Sequence, residues 1–472
     1  MVPSQVVLQA EELSYAYPQH GLGLPPVDFE ALSGELWMIT GRSGCGKSTF
    51  ARCLTGLIPH LYRGDMRGDV WIEGLNTRQT PLWQICESVG MLFQNPAGQA
   101  VASTAEQEIA FGLENLGLPV DEQRARCRSY VERFQLGHLS QRRPDTLSGG
   151  EQQRLMLAAV LARQPKALIL DEPLSMLDTT NATDLVSHLE ELTQQGTTIV
   201  ACEHRADYLA ALPATRRMWL PSSRNHDDPL EQALPPAPVA GVGTIELEGL
   251  ELGFTRQRLF QDLTLSLRGG EVVAIIGRNG VGKTTLLRAL AGLHPYEGTI
   301  RSGDGHPTGF GLMFQNPDWQ LFNPTVQDEI RYHVQEPDEA LYAWLLQALS
   351  LKQYEDVPTL LLNEGEKKRV ALALLLMHHP RHGVLLDEPT LGQDDYHRMI
   401  LGRTTRGLAE AGCIVVATTH DLAWAKRHAD RIVLLAPGRV VADGTNGDIF
   451  EDRSAWAEAG LVIPSWISEG TC

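Results

Sequence analysis

Residues 41–49 form a glycine-rich segment that reads Gly41-Arg42-Ser43-Gly44-Cys45-Gly46-Lys47-Ser48-Thr49. The segment follows an apolar run at residues 35–40 and precedes a stretch that is typical of a helix. In this context glycines let backbone N–H groups approach a phosphate closely, and the helix N-terminus adds positive potential. Lys47 can then reach the β- and γ-phosphates of a nucleotide, and Ser48 can bind Mg²⁺. The segment therefore predicts a phosphate-binding loop for a nucleotide.

The chain contains an internal duplication, because the same pattern recurs after another apolar run. The second copy reads Gly277-Arg278-Asn279-Gly280-Val281-Gly282-Lys283-Thr284-Thr285. Phe-Gln-Asn-Pro occurs at residues 93–96 and 314–317, and Leu-Asp-Glu-Pro occurs at residues 170–173 and 386–389. Matched landmarks in the same order are the sequence signature of a repeated domain. We therefore expect one phosphate-binding loop in each half.

Two carboxylates end an apolar, strand-like run in each half. They are Asp171 and Glu172 in the first half and Asp387 and Glu388 in the second. A buried strand that ends in an aspartate can bring it to the Mg²⁺ of a phosphate-binding loop. The next carboxylate can orient and polarise the attacking water. We expect both aspartates to bind metal and both glutamates to be catalytic.

A histidine and a glutamine complete each predicted site. His204 and His420 each follow a further apolar strand, at the same interval after the glutamate. This recurrence favours a contact with the γ-phosphate over a purely structural role, so both histidines are predicted to be catalytic. Gln94 and Gln315 follow apolar segments, and an amide at that place can complete the coordination of Mg²⁺. The alternative for the glutamines is a turn residue.

Length and composition indicate more than one globular domain. The chain has 472 residues, of which 43% are hydrophobic and 21% charged, and its formal net charge is −18. Such an acidic chain makes a poor general binder of phosphate backbones, so no nucleic-acid partner is expected. The seven cysteines are scattered without a CxxC pair, which argues against a zinc site and favours reduced thiols. No apolar run approaches the ~18 residues needed to span a bilayer, so we expect any membrane-spanning part to belong to other chains.

Residues 221–243 mark the predicted boundary between the halves. They are rich in Pro, Gly, Ser and charged residues and lack periodicity, which is typical of a solvated linker. We predict one domain at residues 1–220 and a second at residues 244–472. In each domain apolar strands alternate with amphipathic helices, which indicates an α/β fold with a largely parallel central sheet.

A further motif lies between the first phosphate-binding loop and the first Asp-Glu pair. It reads Leu147-Ser148-Gly149-Gly150-Glu151-Gln152-Gln153-Arg154. With the other motifs in this order, it resembles the signature of ABC-transporter ATPases, and the resemblance covers both halves. The resemblance implies two tandem P-loop NTPase domains of ABC type, each with a helical signature subdomain, that bind ATP with Mg²⁺ and hydrolyse it. In that family two domains pair head to tail over two ATP molecules, so the two halves would pair within this one chain.

The resemblance also assigns nucleotide contacts beyond the metal ligands. All residues of the two phosphate-binding loops, 41–49 and 277–285, would surround the phosphates. Ser148, Gly149 and Gly150 would donate hydrogen bonds to a γ-phosphate from a helix N-terminus. Aromatic residues before the loops would stack on adenine, with packing in the core as the alternative. These residues are Tyr17 and Phe254.

The second half departs from the signature. The segment there reads Leu362-Asn363-Glu364-Gly365-Glu366-Lys367-Lys368-Arg369. Asn363 and Glu364 replace the serine and the first glycine, whereas Gly365 is kept and would still contact nucleotide. The family pattern would set this segment against the loop of Lys47. Because a carboxylate near phosphate adds repulsion, we expect the two ATP sites to differ.

The segments at and after the two glutamines comprise residues 93–96 and 104–112 in the first half and residues 314–322 and 325–330 in the second. They look like those of energy-coupling-factor importers, which take up vitamins or Ni/Co ions. The ATPases of that group bind a transmembrane scaffold subunit, which works with a membrane-embedded substrate-binding subunit. The chain would then be peripheral, on the cytoplasmic face of the cell membrane. A tandem ATPase of a sugar or peptide importer is the nearest alternative. A soluble ABC protein acting on ribosomes would need a basic helical spacer, and a DNA-repair ATPase would need a coiled-coil or zinc insertion.

Overall fold

The computed structural model describes most of the chain. The described residues are 5–18, 21–94, 98–147, 149–175, 177–204, 206–210, 212, 214–221, 243–254, 257–305 and 308–468. The chain forms two compact units: unit 1 comprises residues 1–177 and 181–225, and unit 2 comprises residues 178–180 and 226–472. The linker predicted at residues 221–243 lies outside the described residues except at its two ends, so the domain limits stay a prediction.

Unit 1 contains nine strands in the part that the structure describes. They are β1 (Val6–Tyr17), β2 (Gly21–Leu32), β3 (Leu36–Thr40), β4 (Asp65–Ile72), β5 (Leu75–Asn76), β6 (Val89–Leu92), β7 (Ala167–Asp171), β8 (Thr198–Cys202) and β9 (Thr215–Trp219). The helices that accompany them are α1 (Lys47–Leu54), α2 (Leu57–His60), α3 (Leu82–Ser88), α4 (Ala105–Glu114), α5 (Val120–Arg133), α6 (Gly149–Ala162), α7 (Thr179–Gln194) and α8 (Ala206–Ala210).

Two sheets organise unit 1. An antiparallel sheet has the order β2-β1-β4-β5, and a parallel sheet has the order β6-β7-β8-β3-β9. Every residue of β7 and β8 is buried, as expected for parallel strands that are covered on both faces. Helix α1 adds Phe50 and Leu54 to the core against these strands. Helices α4 and α5 both pack on α6 and form a separate helical part.

Unit 2 repeats this plan. Its strands are β10 (Thr244–Phe254), β11 (Gln257–Arg268), β12 (Val272–Gly277), β13 (Glu297–Ser302), β14 (Phe310–Met313), β15 (Gly383–Asp387), β16 (Ile414–Thr418), β17 (Arg431–Ala436) and β18 (Arg439–Thr445). Its helices are α9 (Lys283–Leu290), α10 (Val326–Ile330), α11 (Glu339–Ala348), α12 (Glu364–Met377), α13 (Asp395–Glu410), α14 (Leu422–His428), α15 (Asn446–Glu451), α16 (Arg453–Glu458) and α17 (Ser465–Ser468).

The sheets of unit 2 have the orders β11-β10-β13 and β14-β15-β16-β12-β17-β18. The first of them is antiparallel, and the second is parallel except for β18, which runs antiparallel to β17. The predicted α/β fold, with a mostly parallel central sheet and a helical signature region in each half, is confirmed. In both units the phosphate-binding loop joins a central parallel strand to a helix, since residues 41–46 connect β3 to α1 and residues 277–282 lead from β12 into α9.

None of the helices in the described ranges is long and apolar enough to cross a bilayer.

Candidate functional site

The two phosphate-binding loops need glycine where each loop enters its helix. Gly46 caps α1 with φ of 104°, and Gly282 caps α9 with φ of 108°. A Cβ atom on Gly46 would lie 2.3 Å from the carbonyl oxygen of Gly23. Both conformations lie in the left-handed region, which side chains other than glycine rarely adopt. The loops thus expose backbone N–H groups at a helix N-terminus, which is the arrangement that binds phosphate.

Each loop lysine folds back over its own loop. The Nζ atom of Lys47 donates to the carbonyl oxygen of Gly41 at 2.9 Å, and that of Lys283 donates to Gly277 at 2.8 Å. The Nζ atom of Lys283 also lies 3.3 Å from the Nε2 atom of His420. Burial lowers the pKa of the Lys283 ammonium group. Both ammonium groups are therefore held inside the curve of the loop, where phosphates would enter.

The predicted metal ligands of unit 1 lie together. The hydroxyl of Ser48, in the first turn of α1, donates to the carboxylate of Asp171 at 3.0 Å. Burial raises the pKa of Asp171. In unit 2 one carboxylate oxygen of Asp387 accepts from the Thr418 hydroxyl at 2.6 Å, and the other is buried without a hydrogen-bond partner. A hydroxyl beside a carboxylate, and a buried carboxylate oxygen without a donor, both fit a hard cation such as Mg²⁺.

The two predicted catalytic glutamates share an unusual backbone. Glu172 has φ of 52° and Glu388 has φ of 49°, although neither is glycine. Each such residue costs about 1–3 kcal/mol and persists only where its surroundings enforce it. Both side chains are nearly buried, and burial raises the pKa of Glu388. The geometry therefore sets both carboxylates at the ends of β7 and β15 in a strained, fixed orientation.

Each glutamate contacts the predicted histidine of its own unit. The distance from the Nε2 atom of His204 to the Oε1 atom of Glu172 is 3.4 Å, and the corresponding distance for His420 and Glu388 is 3.2 Å. The side-chain amide of Gln94 donates to the other oxygen of Glu172 at 2.9 Å. The structure thus sets Gln94 against the predicted catalytic carboxylate, while a role of Gln94 as metal ligand stays a prediction.

Three other residues that were predicted to contact metal or nucleotide differ in their surroundings: Gln315, Tyr17 and Phe254. Gln315 follows β14 with an exposed side chain. The hydroxyl of Tyr17 lies 3.1 Å from that of Thr49 and accepts from Arg52 at 3.2 Å, so this aromatic ring is tied to α1. Phe254 is 59% exposed at the end of β10. Stacking of these two rings on adenine stays a prediction.

The two signature segments begin helices of different construction. Ser148 lies outside the described residues, and Gly149 and Gly150 open α6. In unit 2 the side chain of Asn363 accepts from the N–H of Glu366, whose carboxylate accepts from the N–H of Asn363 at 2.9 Å. This reciprocal pair is a capping box, which satisfies the backbone donors that begin the helix. The side chain of Asn363 is therefore engaged with its own helix α12.

Sequence reasoning missed two buried charged residues beside these sites. Glu203 is 1% exposed and directly precedes His204, whereas Thr419 precedes His420. Lys368 is also 1% exposed, and its ammonium group donates to the carbonyl oxygen of Glu388 at 2.6 Å. An alignment of the two halves reveals both residues, because each stands where the other half has an uncharged side chain.

With the site geometry defined, comparisons with known proteins identify the family. The family model described as ABC transporter matches residues 24–175 and 260–391. A Treponema denticola protein, provisionally named an ABC transporter ATP-binding protein, is 32% identical over 448 residues, which cover 87% of this chain and 91% of the relative. A Bacillus subtilis protein, YkoD, provisionally named an HMP/thiamine import ATP-binding protein, is 29% identical over 525 residues, with 97% and 95% covered.

A solved structure has the same fold. It is that of an archaeal ribosome recycling factor in complex with a ribosomal stalk protein, and it matches with a TM-score of 0.65 over 95% of this chain and 92% of that chain. At 20% identity this likeness concerns the fold alone. The family match, in contrast, spans more than half of the chain and includes both phosphate-binding loops. The chain therefore belongs to the ABC transporter family and is an ATPase with two tandem ABC domains.

Proposed function

We propose that the chain is the ATP-hydrolysing subunit of a membrane importer, most like those of the energy-coupling-factor group, and that it works on the cytoplasmic face of the cell membrane. The imported solute would be small: a vitamin, a vitamin precursor or a transition-metal ion. The name of the Bacillus subtilis relative, which refers to HMP/thiamine import, supports a vitamin precursor. The glutamine loops, residues 93–96 and 314–317, and the segments after them resemble those of energy-coupling-factor importers, which supports the same subgroup.

Within each unit we assign the chemistry to the residues that the fold brings together. Ser48 and Asp171 would hold Mg²⁺, which neutralises phosphate charge when it is bound. The Lys47 ammonium group would leave the carbonyl groups of its loop and bind the β- and γ-phosphates. Glu172 would accept a hydrogen bond from the attacking water, and the ring of His204 would orient this carboxylate and contact the γ-phosphate. The corresponding residues of unit 2 would act in the same way.

An exposed apolar surface beside the glutamine loop of unit 2 is the observation that best supports a membrane-protein partner. We define the docking patch as Trp319, Phe322, Leu360 and Leu361, which are 63%, 66%, 81% and 55% exposed. Its two segments are held together by a hydrogen bond from the Thr359 hydroxyl to the carbonyl oxygen of residue 323, at 3.1 Å. Large apolar side chains that are exposed in a group mark sites of protein or membrane interaction.

The segment that presents the patch is fixed rather than loose. One carboxylate oxygen of Glu329, which is fully buried, accepts from the N–H groups of Phe322 and Asn323 at 2.8 and 2.6 Å. Asp318, beside Trp319, accepts from the ammonium group of Lys367 on the signature helix α12 at 2.6 Å. A partner that binds the patch would therefore contact a segment joined to both the glutamine loop and the signature helix.

Membrane association can be tested directly. The tagged chain, expressed from its native genome, should co-purify from detergent-solubilised membranes with a polytopic membrane protein. The double variant Trp319→Asp and Phe322→Asp should lose that protein, whereas Val462→Asp, which changes an exposed apolar residue outside the patch, should keep it. Stable association with ribosomes in place of a membrane protein would overturn the proposal and favour the ribosome-associated alternative.

A further inference from the structure

Glu203 is a buried carboxylate that the reaction described above does not use. It follows β8, directly before His204, and is 1% exposed. Burying a charged carboxylate costs free energy unless hydrogen bonds replace its water. Here the Oε2 atom accepts from the backbone N–H of Leu174 at 2.9 Å, and the Oε1 atom accepts from the N–H of His204 at 2.8 Å. The side chain thus joins the segment after β7 to the segment after β8.

Unit 2 makes the same connection with different groups. Thr419 stands at the position of Glu203 and Thr390 at that of Leu174, and their hydroxyl groups lie 3.2 Å apart. The N–H of His420 donates to the Oε2 atom of Glu388 at 3.1 Å. In unit 2 the catalytic glutamate therefore holds the backbone of its own histidine, whereas in unit 1 a carboxylate of Glu203 accepts from the equivalent donor.

This difference changes what the catalytic carboxylate of unit 1 can bind. Its Oε2 atom, which corresponds to the oxygen that accepts from the His420 backbone in unit 2, accepts from the amide of Gln94 at 2.9 Å. A threonine at position 203 could not form the hydroxyl–hydroxyl contact of unit 2, because the side chain of Leu174 has no hydroxyl group. Leu174 and Glu203 thus form one matched pair, and Thr390 and Thr419 form the other.

We propose that Glu203 is a positioning residue of the unit 1 ATP site, which anchors the backbone of His204 so that Glu172 stays available to the glutamine loop. This inference rests on the roles proposed above for Glu172 and His204. Glu203 itself touches neither water nor nucleotide in this scheme. Glu203 acts by fixing the position of the His204 ring, whose Nε2 atom lies 3.4 Å from the Oε1 atom of Glu172.

The test exchanges the pair of unit 1 for that of unit 2 in the full chain. Glu203→Thr removes both acceptors, so hydrogen exchange at the amides of Leu174 and His204 should accelerate at least ~10-fold, measured by mass spectrometry. The kcat for ATP should fall as it does in Glu172→Gln, and by no more than in that variant, with KM within about twofold. A misplaced group slows the reaction more than it weakens binding. Adding Leu174→Thr should slow exchange at the amide of His204 and raise kcat again, because in unit 2 the threonine pair accompanies a histidine whose N–H is held by the glutamate. Glu203→Gln keeps the size of the side chain and one acceptor oxygen, so its exchange rates and kcat should lie between those of the wild type and Glu203→Thr. This variant also provides the test if Glu203→Thr does not fold.

The outcomes separate this inference from the proposed function. Unchanged exchange at both amides in Glu203→Thr and Glu203→Gln would overturn the positioning role. So would a normal kcat in these variants when Glu172→Gln is impaired. If Glu172→Gln has no effect on turnover, the proposed role of Glu172 fails. In that case the rate of amide hydrogen exchange in Glu203→Thr, and its reversal by Leu174→Thr, still decides whether Glu203 anchors the histidine. Loss of activity without rescue by Leu174→Thr would show a charge effect in place of an anchor.

Discussion

Replacing Glu388 by glutamine tests the proposed chemistry of unit 2 most directly. The two side chains have nearly the same size, so the strained backbone at φ 49° and the packing should persist. The substitution removes the negative charge of the carboxylate. In the wild type the Oε2 atom of this carboxylate accepts from the N–H of His420 at 3.1 Å, and its Oε1 atom lies 3.2 Å from the Nε2 atom of the same histidine. A hydrogen bond to a charged group contributes about 1.5–3 kcal/mol, and the hydrogen bond to the attacking water would weaken as well. A loss of at least ~100-fold in turnover, about 2.7 kcal/mol, is therefore expected.

The assay measures phosphate release at saturating Mg-ATP, together with equilibrium binding of ATP to the same preparation. Binding should stay within about threefold, because the phosphate-binding loop is untouched. Glu410→Gln, at an exposed glutamate of α13, is the matched control and should leave both quantities unchanged. Turnover equal to that of the wild type in Glu388→Gln would refute the role assigned to this carboxylate.

Three further predictions concern other parts of the chain. Lys283→Ala should lower ATPase activity more than Lys47→Ala, as measured in steady-state assays of both variants. The pairing expected from the family resemblance would set the Lys47 loop against the signature segment that carries the extra carboxylate, Glu364, and the added negative charge would weaken that site. Burial lowers the pKa of His428, so the folded state favours the neutral ring, and its contribution to stability is lost as pH falls below the unfolded value of about 6.5. His428→Gln should therefore flatten the fall in melting temperature between pH 7 and pH 5. Phe50→Ala, on α1 and fully buried against Phe29, should cost about 3–5 kcal/mol in urea unfolding.

Each of these predictions has an opposing result. Equal losses in the two lysine variants would show that the two ATP sites are equivalent. An unchanged pH profile in His428→Gln would show that this ring does not contribute to the acid sensitivity. A loss below about 1 kcal/mol for Phe50→Ala would mean that the core around α1 closes over the missing ring.

The sequence was sufficient for the parts of the site whose chemistry depends on spacing. Glycines before a lysine, and an Asp-Glu pair after an apolar strand, require few residues in a fixed order, and the fold places them at the ends of buried parallel strands. The contacts of Gln94 could not be predicted, because an amide can bind a metal or a carboxylate and its choice depends on a distant loop. The buried charges of Glu203 and Lys368 were also missed, since burial is a property of packing. The positive φ angles of Glu172 and Glu388 could not be predicted either, because glutamate rarely adopts this conformation and the surrounding fold imposes it.

Those two strained glutamates have a consequence for attempts to engineer the protein. Glycine at position 172 or 388 would adopt the same backbone conformation without steric cost, which would relieve the strain that each glutamate holds there. Libraries that are sorted only for heat resistance can therefore accept glycine at both places, and the roles proposed for the two glutamates imply that such proteins would fold without hydrolysing ATP. Thermostable variants of this chain need a selection that couples survival of the fold to turnover.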